Sequence, residues 1–162
     1  MEFIDLKEQQ KIIRNNIENN VRKVLDHGQY INGPEVSELE EKLAEYTGTK
    51  YALGVSSGTD ALLMILMAYG VGPGDVVFTT SFSFISTAEV IILLGATPVF
   101  VDIDEKTYNI DIHKLEESIL KTQRDNRLKL KGIIPVDIFG QASDYDEINE
   151  IAGRYALFVV ED

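Results

Sequence analysis

The chain has 162 residues, of which 44% are hydrophobic and 26% charged, and these proportions are ordinary for a globular domain with a buried core. Its formal net charge of −12 argues against nucleic-acid binding, because that binding draws most of its affinity from Lys and Arg on phosphates. The sequence has no cysteine for a disulfide framework, no signal-peptide pattern near its start, and no apolar stretch approaching the roughly 20 residues that span a bilayer. We therefore expect a cytoplasmic protein that binds neither nucleic acid nor membrane.

Apolar periodicity predicts two amphipathic helices followed by alternating strands and helices. The first helix spans Leu6–Leu25 and stops at Gly28, and the second begins at Pro34 and ends at Gly48. Later helices are predicted over 61–69, 84–94, 112–120 and 145–152, and strands over 51–55, 76–79, 98–101, 132–136 and 156–160. Short apolar strands separated by amphipathic helices indicate α/β class: a mainly parallel sheet covered on both faces, in three α/β/α layers.

The segment Ser57-Gly58-Thr59-Asp60-Ala61-Leu62 lies between a predicted strand and a predicted helix. Its small residues leave the first helical N–H groups uncovered, and the helix dipole adds partial positive charge there, so the segment can bind an anion such as phosphate. Ser-x-x-Asp before an apolar run is equally an ordinary helix N-cap, and the residues alone leave both interpretations open. The 81–86 loop and Asp162 also follow predicted strands, and ligands of such sheets bind at the carboxyl ends of the strands.

Other kinds of site receive no support from the sequence. His27 and His113 stand alone, without cysteines or carboxylates at metal-ligand spacing, so we predict no metal site. No Gly-x-Gly-x-x-Gly follows any predicted strand, which counts against a Rossmann dinucleotide site.

Seven segments carry a resemblance that extends over the whole chain. They are Gln29 to Val36, Ser57 to Leu62, Gly72-Pro73-Gly74-Asp75, Phe82 to Ala88, Gly95 to Asp104, Phe139-Gly140-Gln141 and Val160-Glu161-Asp162. In order and spacing they resemble the N-terminal part of the DegT/DnrJ/EryC1/StrS family of sugar-nucleotide aminotransferases, which use pyridoxal phosphate (PLP). The residues near the start are most similar to members that aminate the 3-keto position of a UDP-linked N-acetylhexuronic acid.

The resemblance implies the large domain of aspartate-aminotransferase-fold enzymes, with an N-terminal helical arm at 1–33 and an α/β core at 34–162. The last predicted strand ends with the chain at Asp162, where a covering helix would normally follow. We therefore expect a truncated architecture, in which the rest of the large domain and the small domain are absent.

The resemblance also implies roles for four cofactor-binding residues. The backbone of Gly58 and Thr59 would hold the PLP phosphate, Phe84 would stack on the pyridine ring, and Asp162 would pair with the pyridine nitrogen. Without the resemblance, Phe84 would be interpreted as a core aromatic and Asp162 as a solvated charge. Asp137 departs from the family pattern, which commonly has His or Ser at that position; we interpret it as a polar loop residue.

The activity that the resemblance implies is transfer of an amino group, from glutamate, to a nucleotide-linked keto sugar that serves surface polysaccharide synthesis. Family members are homodimers, which predicts a homodimer for the full-length protein. The family's catalytic lysine lies downstream of Val160-Glu161-Asp162, so we predict no catalytic residue within this chain and no activity of the chain alone. Two alternatives stay open: a PLP-dependent sugar dehydratase, in which histidine replaces the lysine, and a non-catalytic binding module.

Overall fold

The computed structural model describes residues 4–162 and divides the chain into two compact units, one ending at Gly54 and one spanning Val55–Asp162. The first unit contains α1 (Leu6–His27) and α2 (Pro34–Thr47). Both helices are followed by the glycines that the sequence predicts as their stops, and both glycines are in the left-handed conformation: Gly28 has φ 69° and Gly48 has φ 71°. Neither helix contains a buried residue.

The second unit alternates helices and strands from Gly58 onward. Its elements are α3 (Gly58–Ala68), β1 (Asp75–Thr80), α4 (Ser86–Leu93), β2 (Thr97–Val101), α5 (Ile112–Thr122), β3 (Lys129–Ile134), α6 (Tyr145–Tyr155) and β4 (Phe158–Val159). The strands form one sheet in the order β2-β1-β3-β4, and all three pairings are parallel. Among the described helices, none is both long enough and apolar enough to cross a membrane.

Two apolar clusters lie on opposite faces of this sheet, because successive side chains of a strand point in opposite directions. On one face, Val76 and Phe78 pack with α5 and α6 through buried residues that include Leu115 and Ile148. On the other face, Val77 packs with α3 and α4 through Leu62, Leu66, Val90 and Ile91. The predicted three-layer α/β/α class is therefore confirmed.

The predicted strand over Tyr51–Val55 is wrong. The structure gives these residues no regular secondary structure, and Tyr51 and Leu53 are 77% and 73% exposed. An apolar run becomes a strand only when a neighbouring strand accepts and donates its hydrogen bonds, and none of the four described strands pairs with it. The division into an arm at 1–33 and a core at 34–162 stays a prediction.

A glycine in β3 allows β4 to lie close to it. A Cβ at Gly132 would come within 2.1 Å of the Phe158 ring, which in turn stacks on Tyr69 with 4.1 Å between ring centroids. This contact fixes the short strand β4, and β4 leads directly to Asp162.

Candidate cofactor site

The candidate site lies at the carboxyl edge of the parallel sheet, where α3 and α4 both begin. Helix α4 follows directly on the loop after β1, so its start lies at that edge. Helix α3 runs the opposite way to the strands: the carbonyls of Tyr69 and Gly70, directly after its end, accept hydrogen bonds from Lys131 Nζ near the start of β3. The two helices pack against each other on the same face.

The start of α3 combines a capped helix with uncovered N–H groups. Ser57 is the N-cap, and its Oγ accepts a hydrogen bond from Asp60 N at 3.1 Å. The N–H groups of Gly58 and Thr59 have no acceptor among residues 4–162, as is usual for the first turn of a helix. A Cβ at Gly58 would meet nothing within 4 Å, so the approach to these donors is open. The cap and the anion site, which the sequence left as alternatives, are therefore compatible.

The loop after β1 presents Phe84 to solvent. Its course is set by hydrogen bonds from Ser81 N to Val101 O at 3.3 Å and from Phe82 N to Thr80 Oγ1 at 3.1 Å. Phe84 is 71% exposed. The alternative of a core aromatic is therefore wrong, and the ring is free to contact a ligand.

Three other aromatic rings cluster on neighbouring loops. Phe82 packs on Tyr108 and on Phe139, with centroid separations of 5.6 Å and 6.1 Å. The loops after β1, β2 and β3 supply one ring each, and these contacts join the loops beside the candidate site.

Asp162 is held by its backbone and by its side chain. Its N–H donates to Pro135 O at 3.1 Å, and its carbonyl accepts from Asp137 N at 3.0 Å, which continues the pairing of β3 with β4. Its Oδ2 accepts a hydrogen bond from Thr87 Oγ1 at 2.5 Å, and Thr87 Oγ1 lies 3.1 Å from Ser83 Oγ. Asp162 is thus exposed to solvent, and one of its carboxylate oxygens is also held by a hydrogen bond.

Sequence reasoning gave no role to Thr87 or Ser83, although both lie in the Phe82 to Ala88 segment that carries the resemblance. Thr87 follows Phe84 by three residues, and this spacing is the signal that could have placed Phe84 and Thr87 near each other at the start of α4. The structure brings Phe84, Thr87 and Asp162 together at the start of α4, while Gly58 and Thr59 lie at the start of the adjacent α3.

Asp137 organises the loop that follows β3. Its Oδ1 accepts hydrogen bonds from both the backbone N and the Oγ of Ser143, at 2.9 Å and 2.7 Å. The nearby Tyr145 hydroxyl is buried without a hydrogen-bond partner among the described residues. Burial, together with the negative charges of Asp137 and Glu161, raises the pKa of Tyr145.

A cleft of about 690 Å³ lies between the starts of α5 and α6. It is lined by carboxylates that include the helix caps Asp111 and Asp144, and the Asn109 side chain crosses it to Gln141 O at 3.1 Å. None of Gly58, Thr59, Phe84 and Asp162 lines this cleft.

The comparisons with known proteins extend over the full chain. It is 51% identical, over 100% of its length, to the UDP-2-acetamido-2-deoxy-3-oxo-D-glucuronate aminotransferase of Pseudomonas aeruginosa, of which it covers 43%. A crystal structure of a DegT DnrJ EryC1 StrS aminotransferase from Brucella abortus matches with a TM-score of 0.97 and 49% identity, over 100% of this chain and 43% of that one.

A third match, the NtdA structure from Bacillus subtilis with bound cofactor PMP, has a TM-score of 0.83 and 37% identity, over 91% of this chain and 32% of that one. The chain thus spans less than half the length of the relatives that it matches. Residues 11–162 match the model of the DegT/DnrJ/EryC1/StrS aminotransferase family, and the chain belongs to that family.

Proposed function

We propose that the complete protein is a PLP-dependent aminotransferase that moves an amino group from glutamate to a keto sugar carried by a nucleotide. One observation carries the proposal: the donors, the ring and the carboxylate that such a cofactor needs lie at one edge of the sheet. Free N–H groups open α3, an exposed aromatic ring precedes α4, and the Oδ1 atom of Asp162 accepts no hydrogen bond from the described residues. The chemistry of this donor set fits PLP.

In this proposal each residue meets a different part of the cofactor. Gly58 and Thr59 donate backbone hydrogen bonds to the phosphate, where the helix dipole favours negative charge. Phe84 supplies a flat apolar face to the ring, and such stacking contributes about 0.5–1.5 kcal/mol beyond area burial. Asp162 accepts a hydrogen bond from the protonated ring nitrogen. When bound, PLP supplies an electron-accepting ring that carries the amino group between the two substrates.

The relatives support a proposal for the substrate and the biological setting of the complete protein. The 3-oxo-glucuronate named for the Pseudomonas aeruginosa relative supports a UDP-linked 3-keto-N-acetylhexuronic acid as the acceptor. We place the amino-sugar product in surface polysaccharide synthesis and the complete protein in the cytoplasm, as a homodimer. These assignments rest on family membership.

We further propose that the 162 residues alone do not turn over substrate. In the family resemblance, the lysine nucleophile lies downstream of Val160-Glu161-Asp162. Three lysines on the described helices, Lys11, Lys42 and Lys114, lie in surface ion pairs, as Lys114 Nζ does with Asp102 Oδ2 at 3.0 Å. An assay with PLP, glutamate and a UDP-linked 3-keto sugar should give no amine product, and robust product would contradict this proposal.

Binding of pyridoxamine phosphate (PMP) tests the site directly, because PMP binds without a covalent bond to the protein. We expect Gly58→Glu to weaken PMP binding about tenfold, since it adds a negative charge next to the phosphate. The fold should tolerate this change, because the new side chain enters open space and its charge suits a helix N-terminus. Calorimetric titration measures the Kd.

Two matched comparisons isolate the phosphate contact. Gly58→Gln has nearly the same shape without the charge and should retain most of the affinity. Pyridoxamine, which lacks the phosphate, should bind more weakly to the unaltered protein and should respond less than PMP to Gly58→Glu. Equal affinity for PMP and pyridoxamine would show that α3 does not hold the phosphate.

A further inference from the structure

Two side-chain hydroxyl groups form a short chain of hydrogen bonds that ends at the carboxylate of Asp162. Thr87 Oγ1 contacts Asp162 Oδ2 at 2.5 Å, and Ser83 Oγ contacts Thr87 Oγ1 at 3.1 Å. Thr87 is 1% exposed, so the donor side of this contact is buried, whereas Asp162 is exposed to solvent. The three side chains come from the loop after β1, from α4 and from the end of the chain.

The direction of these hydrogen bonds follows from proton counting. An ionised carboxylate only accepts, so Thr87 uses its single hydroxyl proton for Asp162. Ser83 must then be the donor to Thr87 Oγ1, and the relay runs from Ser83 through Thr87 to Asp162. Thr87 is thus the donor to Asp162 Oδ2 and Ser83 the donor to Thr87, and hydrogen bonds to charged groups are stronger than neutral ones.

The hydrogen bond from Thr87 also determines the orientation of the Asp162 carboxylate. The backbone of Asp162 is held through its N–H and its carbonyl, which leaves side-chain rotation as the remaining freedom. Thr87 removes that freedom by holding Oδ2, and Oδ1 accepts no hydrogen bond from the described residues. The carboxylate thus presents one oxygen in a fixed direction.

We propose that Thr87 is a positioning residue, which with Ser83 orients the Asp162 carboxylate so that Oδ1 meets the protonated ring nitrogen of the bound cofactor. This inference rests on the proposed function and extends it, because it assigns a role to a residue that makes no contact with the ring nitrogen. The loop that leads into α4 then supplies the ring face, through Phe84, and the first turn of α4 supports the nitrogen contact, through Thr87.

A ligand pair separates this role from a merely structural one. PMP has a ring nitrogen, and its 1-deaza analogue has C–H at that position but keeps the phosphate, the amine and the ring face. Thr87→Val keeps the shape of the side chain and removes the hydroxyl. We expect it to raise the Kd for PMP about tenfold and to leave the Kd for the deaza analogue within about twofold.

Three further variants complete the series. Thr87→Ser restores the hydroxyl and should bind PMP within about threefold of the unaltered protein. Ser83→Ala removes only the outer donor and should cost about two- to threefold for PMP. Ser86→Ala is the matched control: Ser86 precedes Thr87 in α4, is also buried, and makes no side-chain hydrogen bond among the described residues, so PMP affinity should be unchanged.

The possible outcomes separate this inference from the proposed function. If Thr87→Val weakens PMP and the deaza analogue equally, with an unchanged circular dichroism spectrum, Thr87 supports the fold only and the inference is overturned. If the unaltered protein binds PMP no better than the deaza analogue, Asp162 does not contact the ring nitrogen. If it binds neither ligand, the proposed function fails as well.

Discussion

Asp125 and Arg127 form a local ion pair in the turn before β3. Arg127 Nε and Nη2 donate to the two carboxylate oxygens at 2.9 Å and 2.8 Å, and Arg127 N also donates to Oδ1 at 3.1 Å. The arginine side chain, followed by this backbone bond, lowers the pKa of Asp125 from its ordinary 3.8 to about 2. A carboxylate whose folded pKa is lowered contributes stability above its unfolded pKa, and that contribution is lost as pH falls from about 4 toward 2.

We therefore expect Arg127→Gln to return the pKa of Asp125 toward 3.8. A pH titration of the side-chain carboxyl carbon by NMR measures this directly. Arg124→Gln is the control, because Arg124 donates no side-chain hydrogen bond to Asp125 in the described structure. A pKa that stays near 2 in Arg127→Gln would mean that the backbone bond alone produces the shift.

At the level of single residues, the sequence is informative about local chemistry and not about long-range pairs. The small residues that open α3 could be identified, because a helix start is encoded within a few neighbouring residues. The contact of Thr87 with Asp162 could not, because it joins positions 75 residues apart and depends on how α4 packs beside β4. The proximity of Tyr145 to Asp137 could not be predicted either, because it depends on the hydrogen bonds by which Ser143 closes the loop after β3 onto Asp137.

Helix α5 provides a test at the level of the element. Asp111 is its N-cap, and Asp111 Oδ1 accepts a hydrogen bond from Lys114 N at 3.0 Å. We expect Asp111→Ala to lower the free energy of unfolding by about 1 kcal/mol, because an N–H of the first turn loses its acceptor. Urea denaturation followed by circular dichroism measures the change.

Asp111→Asn is the matched variant, because its side-chain oxygen can still cap the helix. It should stay within about 0.5 kcal/mol of the unaltered protein. If the alanine and asparagine variants lose equal stability, the charge of Asp111 matters and the cap does not.

The predicted helices and four of the five predicted strands correspond to observed elements, and the exception is the segment over 51–55. Helix α1 begins at Leu6 as predicted and extends two residues beyond the predicted Leu25, to His27. Helix α4 begins at Ser86, two residues later than predicted, because Phe84 and Ile85 belong to the loop that exposes them. The segment over 51–55 has strand-like composition, yet no described strand hydrogen-bonds to it.

At the scale of the whole molecule, the two compact units differ in burial. Helices α1 and α2 contain no buried residue, whereas β1 is buried along its entire length. Backbone amides open locally where few apolar contacts must be broken. We expect hydrogen–deuterium exchange, followed by mass spectrometry, to be fast in α1 and α2 and slow in β1 and β3 of the same sample. Protection of α1 as strong as that of β1 would contradict this prediction.

The strand order β2-β1-β3-β4 has a consequence for how the protein must be handled. Strands β2 and β4 are the outer strands of the described sheet, and β2 carries Phe100 at 55% exposure. An outer strand offers unpaired N–H and C=O groups to any second copy that approaches it. The net charge of −12 at pH 7 opposes that approach, so colloidal stability depends on ionised carboxylates. Mild acid and high salt both weaken this repulsion, and concentrated stocks belong in neutral buffers of low ionic strength.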